Sequence, residues 1–263
     1  MSGSVALTTT AAPVTGPGTV VLVGVTSAIV RALAAEFAQR GHDLIVAARD
    51  VEETNAIASD LDVRYGVRVV AKTFEAEAFA SHAAFVDECV RDAGGALDGV
   101  VVGFGFMEEQ SVAQTKFDAA KRTIDVNVAA VMSVCERFAA HFAPARRGFI
   151  AGISSVAGDR GRQSNYIYGA TKAAMSAYLQ GLRNRLQPER VHVVTIKPGF
   201  VDTKGTWGLP LPAALVATPE RAARDIYRAI AAKKDVVYVP WFWRYIMLLV
   251  CAIPEWQFKK MKM

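Results

Sequence analysis

A tyrosine and a lysine four residues apart, Tyr168 and Lys172, stand near the head of a predicted helix and could carry out proton transfer. Side chains at this spacing lie on the same face of a helix. Free tyrosine has a pKa of about 10 and is therefore a weak acid or base near neutral pH. A neighbouring ammonium group stabilises the phenolate and lowers that pKa, as general acid–base catalysis requires. The spacing predicts an acid–base pair, and an exposed helix pair without function is the alternative.

Two further polar residues occupy positions that suit chemistry better than packing. Ser155 follows a predicted strand, thirteen residues before Tyr168. A hydroxyl at the end of a strand can polarise a substrate carbonyl. Asn127 lies inside a predicted helix, where an asparagine side chain competes with the backbone for hydrogen bonds and is locally unfavourable. Its position there calls for a specific reason.

Short runs rich in β-branched residues alternate along the chain with longer, alanine-rich stretches. Most of the short runs are unbroken Val, Ile and Leu, which is typical of strands covered on both faces. The predicted strands are Thr19–Gly24, Asp43–Ala48, Arg68–Thr73, Gly99–Val102, Gly148–Ile153, Val191–Lys197 and Asp235–Val239. The predicted helices are Ala28–Arg40, Val51–Tyr65, Ala76–Ala93, Lys116–Ala143, Tyr166–Leu186 and Pro219–Ala232.

This alternation predicts an α/β fold. Strand–helix–strand units with right-handed crossovers build a doubly wound parallel sheet, here of about seven strands with helices on both faces. Ligands bind such sheets beyond the carboxyl ends of the strands. No linker divides the chain, so we expect one Rossmann-like domain at 20–239, after a disordered leader at 1–19 and before a tail at 240–263.

The segment from Tyr168 to Lys172, with Ser155, Asn127 and the run from Lys197 to Thr203, resembles the short-chain dehydrogenase/reductase family from about Val20 to Val239. The resemblance implies that Asn127, Ser155, Tyr168 and Lys172 form a catalytic tetrad on a nicotinamide cofactor. It also implies that Lys172 holds the hydroxyls of the nicotinamide ribose and that Asn127 anchors a water in the proton relay. Thr203 would lie near the amide of the nicotinamide.

The cofactor-binding end departs from the family pattern. The family's first turn, Thr-Gly-x-x-x-Gly-x-Gly, corresponds to Val23–Val30, in which only Gly24 is kept. Val30 replaces the glycine that lets helix and strand pack closely, so we expect the helix to stand slightly away. The cofactor-binding residues that the resemblance assigns are Gly24, Thr26, Ser27, Ile29, Arg49, Glu75, Gly103, Tyr168, Lys172, Pro198, Gly199, Val201 and Thr203.

The end of the second strand bears on the choice of cofactor. An acidic residue at this position binds the adenosine ribose in NAD enzymes, but here the aligned residue is Ala48, followed by Arg49. A guanidinium group can bind a 2′-phosphate through two hydrogen bonds. We therefore predict NADPH in preference to NADH. The alternative is that Arg49 is solvated and Asp50 holds the ribose.

Within the family, Val101–Phe106, Ser154–Arg160 and Trp243–Met247 resemble the group that reduces decaprenylphosphoryl-2-keto-ribose. This resemblance implies a lipid-linked keto sugar of cell-envelope arabinose synthesis as substrate, and a flavin-dependent oxidase as the partner that forms it. Another hydrophobic ketone, such as a 3-oxoacyl or polycyclic compound, is an alternative substrate. Because the glycine turn is eroded, a non-catalytic nucleotide-sensing scaffold is a second alternative.

Composition excludes several other classes. With 52% hydrophobic and 21% charged residues the chain is not disordered, and its net charge of +5 does not indicate nucleic acid as a partner. The three cysteines and four histidines are scattered, so we expect no metal site and a reducing, cytoplasmic location. Residues 1–19 carry neither charge nor an apolar run, unlike a secretory signal.

The C-terminal segment 240–263 is predicted to contact a membrane surface. It contains Trp241, Trp243 and Trp256, the apolar stretch Tyr245–Ile253, and a net charge of +3. Tryptophan favours the headgroup level and basic residues favour anionic lipid. The stretch is too short to span ~30 Å of hydrocarbon, so it would lie in the interface at the inner face of the cell membrane. Alternatively, it covers the substrate pocket or a neighbouring subunit.

Two further expectations concern closure and assembly. The segment Lys204–Val216, which is punctuated by glycine and proline, is predicted to form a lid over the substrate. The family resemblance implies a homodimer or homotetramer that forms through the helices holding Asn127 and Tyr168.

Overall fold

The first strand of the protein is buried along its whole length. The computed structural model describes residues 17–95, 97–203, 212 and 215–261. In this strand, Thr19–Val23, successive side chains point to opposite faces of the sheet. Val20 and Leu22 therefore join one hydrophobic layer, and Val21 and Val23 join the other. A strand with this pattern needs cover on both faces.

Seven strands form a single parallel sheet that opens the cleft described below. The described residues contain nine strands in all, namely β1 (Thr19–Val23), β2 (Leu44–Ala48), β3 (Val69–Thr73), β4 (Leu97–Val102), β5 (Phe149–Ile153), β6 (His192–Pro198), β7 (Phe200–Val201), β8 (Val216–Ala217) and β9 (Val236–Val239). The sheet order is β3-β2-β1-β4-β5-β6-β9, and β7 pairs with β8 separately. The predicted seven-stranded doubly wound sheet is confirmed, whereas the small β7–β8 pair was not predicted.

Helices cover both faces of the sheet. They are α1 (Ala28–Ala38), α2 (Val51–Tyr65), α3 (His82–Asp92), α4 (Gln110–Ala113), α5 (Phe117–Ile124), α6 (Val131–Ala145), α7 (Tyr166–Leu186), α8 (Pro219–Ala231), α9 (Trp243–Ala252) and α10 (Glu255–Phe258). Helices α1, α2 and α8 pack on one face, and α3, α6 and α7 pack on the other. Local capping agrees with these bounds, since the Asp50 carboxylate accepts from the Glu53 N–H at the start of α2.

Two predicted helices were wrong in detail. The stretch predicted as one helix, Lys116–Ala143, is α5, a six-residue π-helical segment at Asp125–Ala130, and then α6. The helix predicted from Ala76 begins only at His82, after a 3₁₀ turn at Phe79–Ser81. Ala76 and Glu77, which come before that turn, are not helical, and they line the cleft described below.

Some predictions fall partly outside the described residues. Residues 1–16 of the predicted leader lie there, and so do 204–211, 213 and 214 of the predicted lid. Within the described ranges, no helix has both the length and the apolar character that crossing a membrane requires.

Candidate active site

A cleft of about 870 Å³ opens beyond the carboxyl ends of the central strands. It lies where the strand order reverses between β1 and β4, the position at which open α/β sheets bind ligands. Ser155 lines the cleft, as do all the residues predicted to contact the cofactor, namely Gly24, Thr26, Ser27, Ile29, Arg49, Glu75, Gly103, Tyr168, Lys172, Pro198, Gly199, Val201 and Thr203. Asn127 is buried behind its wall.

Ser155 comes directly after the turn that ends β5 and has an extended backbone. Its hydroxyl oxygen accepts a hydrogen bond from the Ala157 N–H at 3.1 Å. The neighbouring Ser154 hydroxyl is committed to α7, since it bonds the Lys172 carbonyl at 2.9 Å and the Ser176 hydroxyl at 2.8 Å. Of the two serines, Ser155 is therefore the one whose hydroxyl is placed to meet a ligand.

Tyr168 and Lys172 both lie in the first two turns of α7, and their electrostatics differ from the sequence expectation. Burial raises the pKa of Tyr168 to about 12, although a hydrogen bond with Ser155 opposes the shift. Burial also lowers the pKa of Lys172 to about 8. The Lys172 ammonium donates to the Ile153 carbonyl at 3.0 Å and lies 5.7 Å from the centre of the Tyr168 ring. The prediction that Lys172 depresses the pKa of Tyr168 was wrong for the protein alone, because desolvation outweighs the hydrogen bond with Ser155 that opposes it.

Asn127 lies in the π-helical segment, and its amide fastens the cleft wall. Its Oδ1 accepts from the Phe106 N–H at 2.8 Å, and its Nδ2 donates to the Phe106 carbonyl at 2.7 Å and to the Thr171 hydroxyl at 3.0 Å. Both amide hydrogens are thus used within the protein, so only Oδ1 has capacity left for a water. An asparagine is unfavourable inside a regular helix, but in this π-helical turn it has a specific role, which is to join α7 to the backbone of Phe106.

The first turn keeps the space that a dinucleotide phosphate requires. Gly24 has φ of +93°, and a Cβ there would lie 2.6 Å from the Phe104 nitrogen, so only glycine fits. The Ser27 side chain makes no capping bond to α1. The first N–H groups of α1 therefore have no side-chain cap, and a helix end in this condition binds anions.

The side chain of Val30 is accommodated by a second change. A Cβ on Gly103 would lie 2.3 Å from Cγ2 of Val30, so the valine methyl occupies the space that a side chain at residue 103 would need. Val30 is fully buried. The helix therefore packs against the strand through a valine–glycine pair in place of a glycine and a larger residue. The eroded glycine motif does not close the cleft.

At the other end of the cleft, β2 ends with Ala48 and leads to Arg49. Arg49 is mostly exposed, and its Nε lies 4.0 Å from Oε2 of Glu75. The Asp50 carboxylate is already engaged as the cap of α2. Ala48 thus stands at the position where NAD enzymes have an acid, and a cation follows it directly, which fits a 2′-phosphate.

The cleft wall that follows β6 is supported by Trp243, a residue that the sequence analysis assigned to a membrane-contacting segment. A Cβ on Gly199 would lie 2.1 Å from the ring of Trp243, so the indole packs directly under the cleft wall. Trp243 is 3% exposed and stacks edge-on against Phe200 at 4.8 Å between ring centres. The prediction that Trp243 faces a membrane was wrong, because it fills the space beneath Gly199.

The tail is attached to the loop that follows Ser155. The Arg160 guanidinium donates to the carbonyls of Val250, Cys251 and Ile253 at 2.7, 3.0 and 2.6 Å. It also pairs with Glu255 and lies over the Phe258 ring. Helix α9 is therefore held behind the cleft wall, where its Trp243 packs against Gly199. Its outward face remains exposed at Tyr245, Leu248 and Leu249.

Sequence reasoning missed several residues that line the cleft. Phe104 and Phe106 follow β4, while Arg162 and Asn165 stand in the loop before α7. Arg162 and Asn165 stand between Ser155 and Tyr168 in the sequence, but this position did not single them out, since Arg160 in the same loop binds the tail. Within the described ranges, no group of three or more His, Cys, Asp or Glu residues is placed to hold a metal ion.

Comparison with known proteins agrees with this geometry. Residues 18–210 match the family described as short chain dehydrogenase. An uncharacterized oxidoreductase of Mycobacterium tuberculosis is 32% identical over 247 residues, which is 94% of this chain and 98% of that protein. An uncharacterized oxidoreductase of Streptomyces coelicolor is 30% identical and covers 93% of this chain and 96% of its own. A short-chain dehydrogenase from Sphingobium yanoikuyae, solved in complex with NADPH, superposes with a TM-score of 0.78 at 27% identity, covering 90% of this chain and 97% of its own.

Proposed function

The chain belongs to the short-chain dehydrogenase/reductase family, and from that premise we propose that it reduces a ketone to an alcohol with NADPH. The observation that carries the proposal is that Ser155, Tyr168 and Lys172 line one cleft with every residue predicted to contact the cofactor. The family and the relatives support an NAD(P)-dependent oxidoreductase.

The residues of the chain divide the work as follows. When bound, the nicotinamide supplies the hydride. The Ser155 hydroxyl holds the carbonyl oxygen, and Tyr168, which burial keeps protonated, donates a proton to that oxygen. Lys172, while it carries its proton, stabilises the phenolate that remains and holds the ribose. Asn127 keeps the Phe106 backbone and α7 in register around them.

A tyrosine pair on one helix tests the assignment. Tyr168→Phe should lower turnover by at least about 100-fold, because the proton donor is removed, while NADPH still binds. Tyr166→Phe is the matched control, since Tyr166 lies on the same helix and is 43% exposed. Ketone reduction by Tyr168→Phe at the wild-type rate would exclude the proposed chemistry. Failure of NADPH and NADH alike to raise the melting temperature would favour a non-catalytic scaffold.

We propose NADPH as the preferred cofactor. The support is the exposed Arg49 guanidinium, the engagement of Asp50 as a helix cap, and the NADPH complex of the Sphingobium relative. Arg49→Ala should raise the Michaelis constant for NADPH far more than that for NADH. Arg64→Ala serves as control, because Arg64 lies in the last turn of α2, about 16 Å along the helix from Glu53, which lines the cleft. Equal effects of Arg49→Ala on the two cofactors would contradict the preference.

For the substrate, we propose a lipid-linked keto sugar, formed by a flavin-dependent oxidase and used in cell-envelope synthesis. The support is the sequence resemblance of three segments, together with an exposed apolar face on the helix that backs the cleft wall. Another hydrophobic ketone is the competing substrate. Turnover of a polyprenyl-phosphate keto sugar, compared with that of a 3-oxoacyl ester, separates the two.

We further propose that this face docks on an anionic membrane surface at the inner side of the cell membrane. Tyr245, Leu248 and Leu249 lie on one side of α9 and are 58%, 66% and 71% exposed. Trp241 and Trp256 flank them at 66% and 64% exposed, and Arg244, Lys259 and Lys260 are exposed beside them. Apolar side chains ringed by cations complement anionic headgroups.

Liposome sedimentation tests the docking surface. The protein should co-sediment with vesicles that contain anionic lipid, less at high salt, and Leu248→Ser with Leu249→Ser should abolish the binding. Val63→Ser is the control, because Val63 is 86% exposed on α2. Loss of self-association in the double variant, with no vesicle binding by the wild type, would assign the face to a second copy instead.

We also propose a homodimer or homotetramer that forms through the helices around Asn127 and Tyr168. Exposed apolar residues of α5 support this surface, since Phe117 and Ile124 are 75% and 44% exposed. Phe117→Asp should shift the protein to a monomer in sedimentation equilibrium. A wild-type protein that is already monomeric would contradict the assembly.

A further inference from the structure

Arg162 stands in the cleft beside the catalytic groups without an acidic partner. It belongs to the loop between Ser155 and Tyr168, and it lines the same cleft as both. Its Nε is buried without an acceptor, and its terminal nitrogen reaches only the sulfur of Met247, at 3.2 Å. No carboxylate of the described ranges lies within 4 Å of it. A half-buried guanidinium with unmatched hydrogen-bond donors lowers the stability of the fold unless a negatively charged group binds it.

The second unmatched atom lies in the same loop. Oδ1 of Asn165 is buried without a hydrogen-bond partner, and Asn165 also lines the cleft. A half turn of the amide about its Cβ–Cγ bond exchanges this oxygen for Nδ2, because the two orientations have nearly the same shape. The side chain can therefore donate to a ligand as well as accept from it.

The charges of the cleft are separated along its length. Its acidic lining residues come from the region that follows β2 and β3, and they are Asp50, Glu53, Glu75 and Glu77. Arg122 pairs with Glu77, and Arg49 lies near Glu75. Of the described lining residues that follow β4 and its loop, from Ile153 to Thr203, the charged ones are Arg162 and Lys172, and both are cations.

A purely structural role for Arg162 does not account for this arrangement. Arg160, two residues earlier, shows what such a role looks like, since its guanidinium donates to three carbonyls and to Glu255. Arg162 has no comparable set of acceptors. Burial lowers the pKa of its guanidinium, and the charges of Asp159 and Cys251 oppose this shift only in part. The Asp159 carboxylate is itself bound to Lys197 and Tyr238.

We propose that the ketone substrate carries an anionic group, a phosphate or a carboxylate, and that Arg162 and Asn165 bind it. Guanidinium groups recognise both anions through paired hydrogen bonds. The inference rests on the proposed ketone reduction and narrows its substrate class. It makes Arg162 a specificity-determining residue, which fixes the position of the carbonyl through a second anchor on the same molecule.

Matched ketones test the inference. The pairs are dihydroxyacetone with dihydroxyacetone phosphate, and methyl 4-acetylbenzoate with 4-acetylbenzoate. The wild type should favour the anionic member of at least one pair by about tenfold or more in kcat/KM, and the preferred pair identifies the anion as phosphate or carboxylate. Arg162→Gln should lower kcat/KM for that anionic ketone by about 10- to 100-fold and change the neutral one by less than about threefold.

Two further variants complete the design. Arg162→Lys should retain part of the preference, because the charge remains while the paired geometry is lost. Arg91→Gln is the control, since Arg91 is exposed near the end of α3, at the opposite edge of the sheet. The melting temperature of Arg162→Gln should not fall, because the substitution removes an uncompensated cation. A lower melting temperature with equal losses on both ketones would assign Arg162 a structural role and overturn the inference.

A binding measurement separates this inference from the proposed reaction. Phenyl phosphate and benzoate are titrated into the wild type and Arg162→Gln, with and without NADPH. Binding that depends on Arg162 supports the anion site even if no ketone is reduced, in which case the proposed reaction fails alone. Reduction of neutral ketones with no anion preference, and no binding that depends on Arg162, overturns the anion site and leaves the reaction standing.

Discussion

Burial shifts the pKa values of Tyr168 and Lys172 more than the interaction between the two side chains does. Sequence spacing correctly placed Tyr168 and Lys172 in one cleft, but it suggested that the lysine would lower the pKa of the tyrosine. In the structure burial raises the pKa of Tyr168 to about 12 and lowers that of Lys172 to about 8. A tyrosine that stays protonated suits the reductive direction, because it must give up a proton. The lysine is then the group whose titration limits the reaction.

The pH dependence of reduction follows from these two values. kcat/KM for NADPH, which reports the free enzyme, should fall as pH rises through about 8, because Lys172 loses its proton there while Tyr168 keeps its own. The pH profile from 6 to 10 is the measurement. Lys172→Arg stays charged, so any activity that it keeps should not fall over this range. A wild-type profile that is flat to pH 10 would contradict the assignment.

Val30 and Gly103 are a second pair of residues that must be considered together, because the side chain of Val30 fills the space beside Gly103. A Cβ at residue 103 would lie 2.3 Å from the Val30 side chain, so Gly103→Ala should lower the free energy of unfolding by about 1–3 kcal/mol through overpacking. Adding Val30→Ala should recover part of the loss, and the double-mutant cycle in urea should show a favourable coupling of about 1 kcal/mol or more.

The control for this pair is Gly181→Ala on α7, where a Cβ would meet nothing within 4 Å. It should be neutral or slightly stabilising, because alanine is the better helix former. Strict additivity of Val30→Ala and Gly103→Ala would show that the two side chains do not share space.

Among the elements, the one that sequence described least well is the one that carries Asn127. Periodicity indicated a single helix at Lys116–Ala143, because a π-helical segment keeps helical composition and differs only in its hydrogen-bond register. The unfavourable position of an asparagine inside that helix was the correct warning. The hydrogen bonds to Phe106 and Thr171 could not be read from spacing, since they join segments 21 and 44 residues away.

Loss of the Asn127 amide should affect both stability and turnover. Asn127→Ala removes these partners of the Phe106 N–H and C=O in a partly buried site, at a cost of about 1 kcal/mol or more in unfolding free energy. The turn beside Tyr168 and Lys172 should loosen, and kcat should fall by about tenfold or more. Asn184→Ala, at an exposed site on α7, is the control for helical Asn→Ala replacement. Unchanged kcat despite lower stability would restrict Asn127 to a structural role.

The sheet was predictable because the residue types within a strand indicate whether its two faces are covered. Runs of Val and Ile with no polar face can only be strands covered on both sides, and β1, β2 and β4 are buried almost throughout. Ser155 was predictable at the cleft because it follows β5, and Tyr168 and Lys172 were predictable there because they lie at the start of the next long helix, α7. Trp243 and Arg162 were not, since their positions depend on how distant segments pack, and a local pattern of aromatic and basic residues has the same appearance in either setting.

At the scale of the whole molecule, the tail and the catalytic domain form one structure. Trp243 and Met247 pack against Val156, close to Ser155, and Trp243 also supports Gly199. Removal of residues after Val239 would therefore expose the cleft wall and would not separate membrane binding from folding. Point substitutions on the outer face of α9 are the cleaner test.

A tryptophan pair measures this integration. Trp243→Ala should cost about 3–5 kcal/mol, as for buried aromatic residues, and should lower NADPH affinity because Gly199 loses its support. Trp241→Ala, two residues away and 66% exposed, should change the free energy of unfolding by less than about 0.5 kcal/mol. Urea denaturation and NADPH titration of both variants are the measurements. Similar behaviour of the two variants would contradict the position of Trp243 beneath the wall.

The hydrogen bonds from Arg160 to the carbonyls at the end of α9 also determine the order in which parts of the structure form during synthesis. The Arg160 guanidinium and the Ile253 carbonyl that it binds are 93 residues apart along the chain. A ribosome that adds about 5–20 residues per second needs roughly 5–20 s to pass from one to the other. During that interval the loop after Ser155 has emerged without the helix that holds it. The nascent protein can therefore pair strands β1 to β6 early, but the sheet gains β9, and the cleft wall gains the support of α9, only after both have left the ribosome.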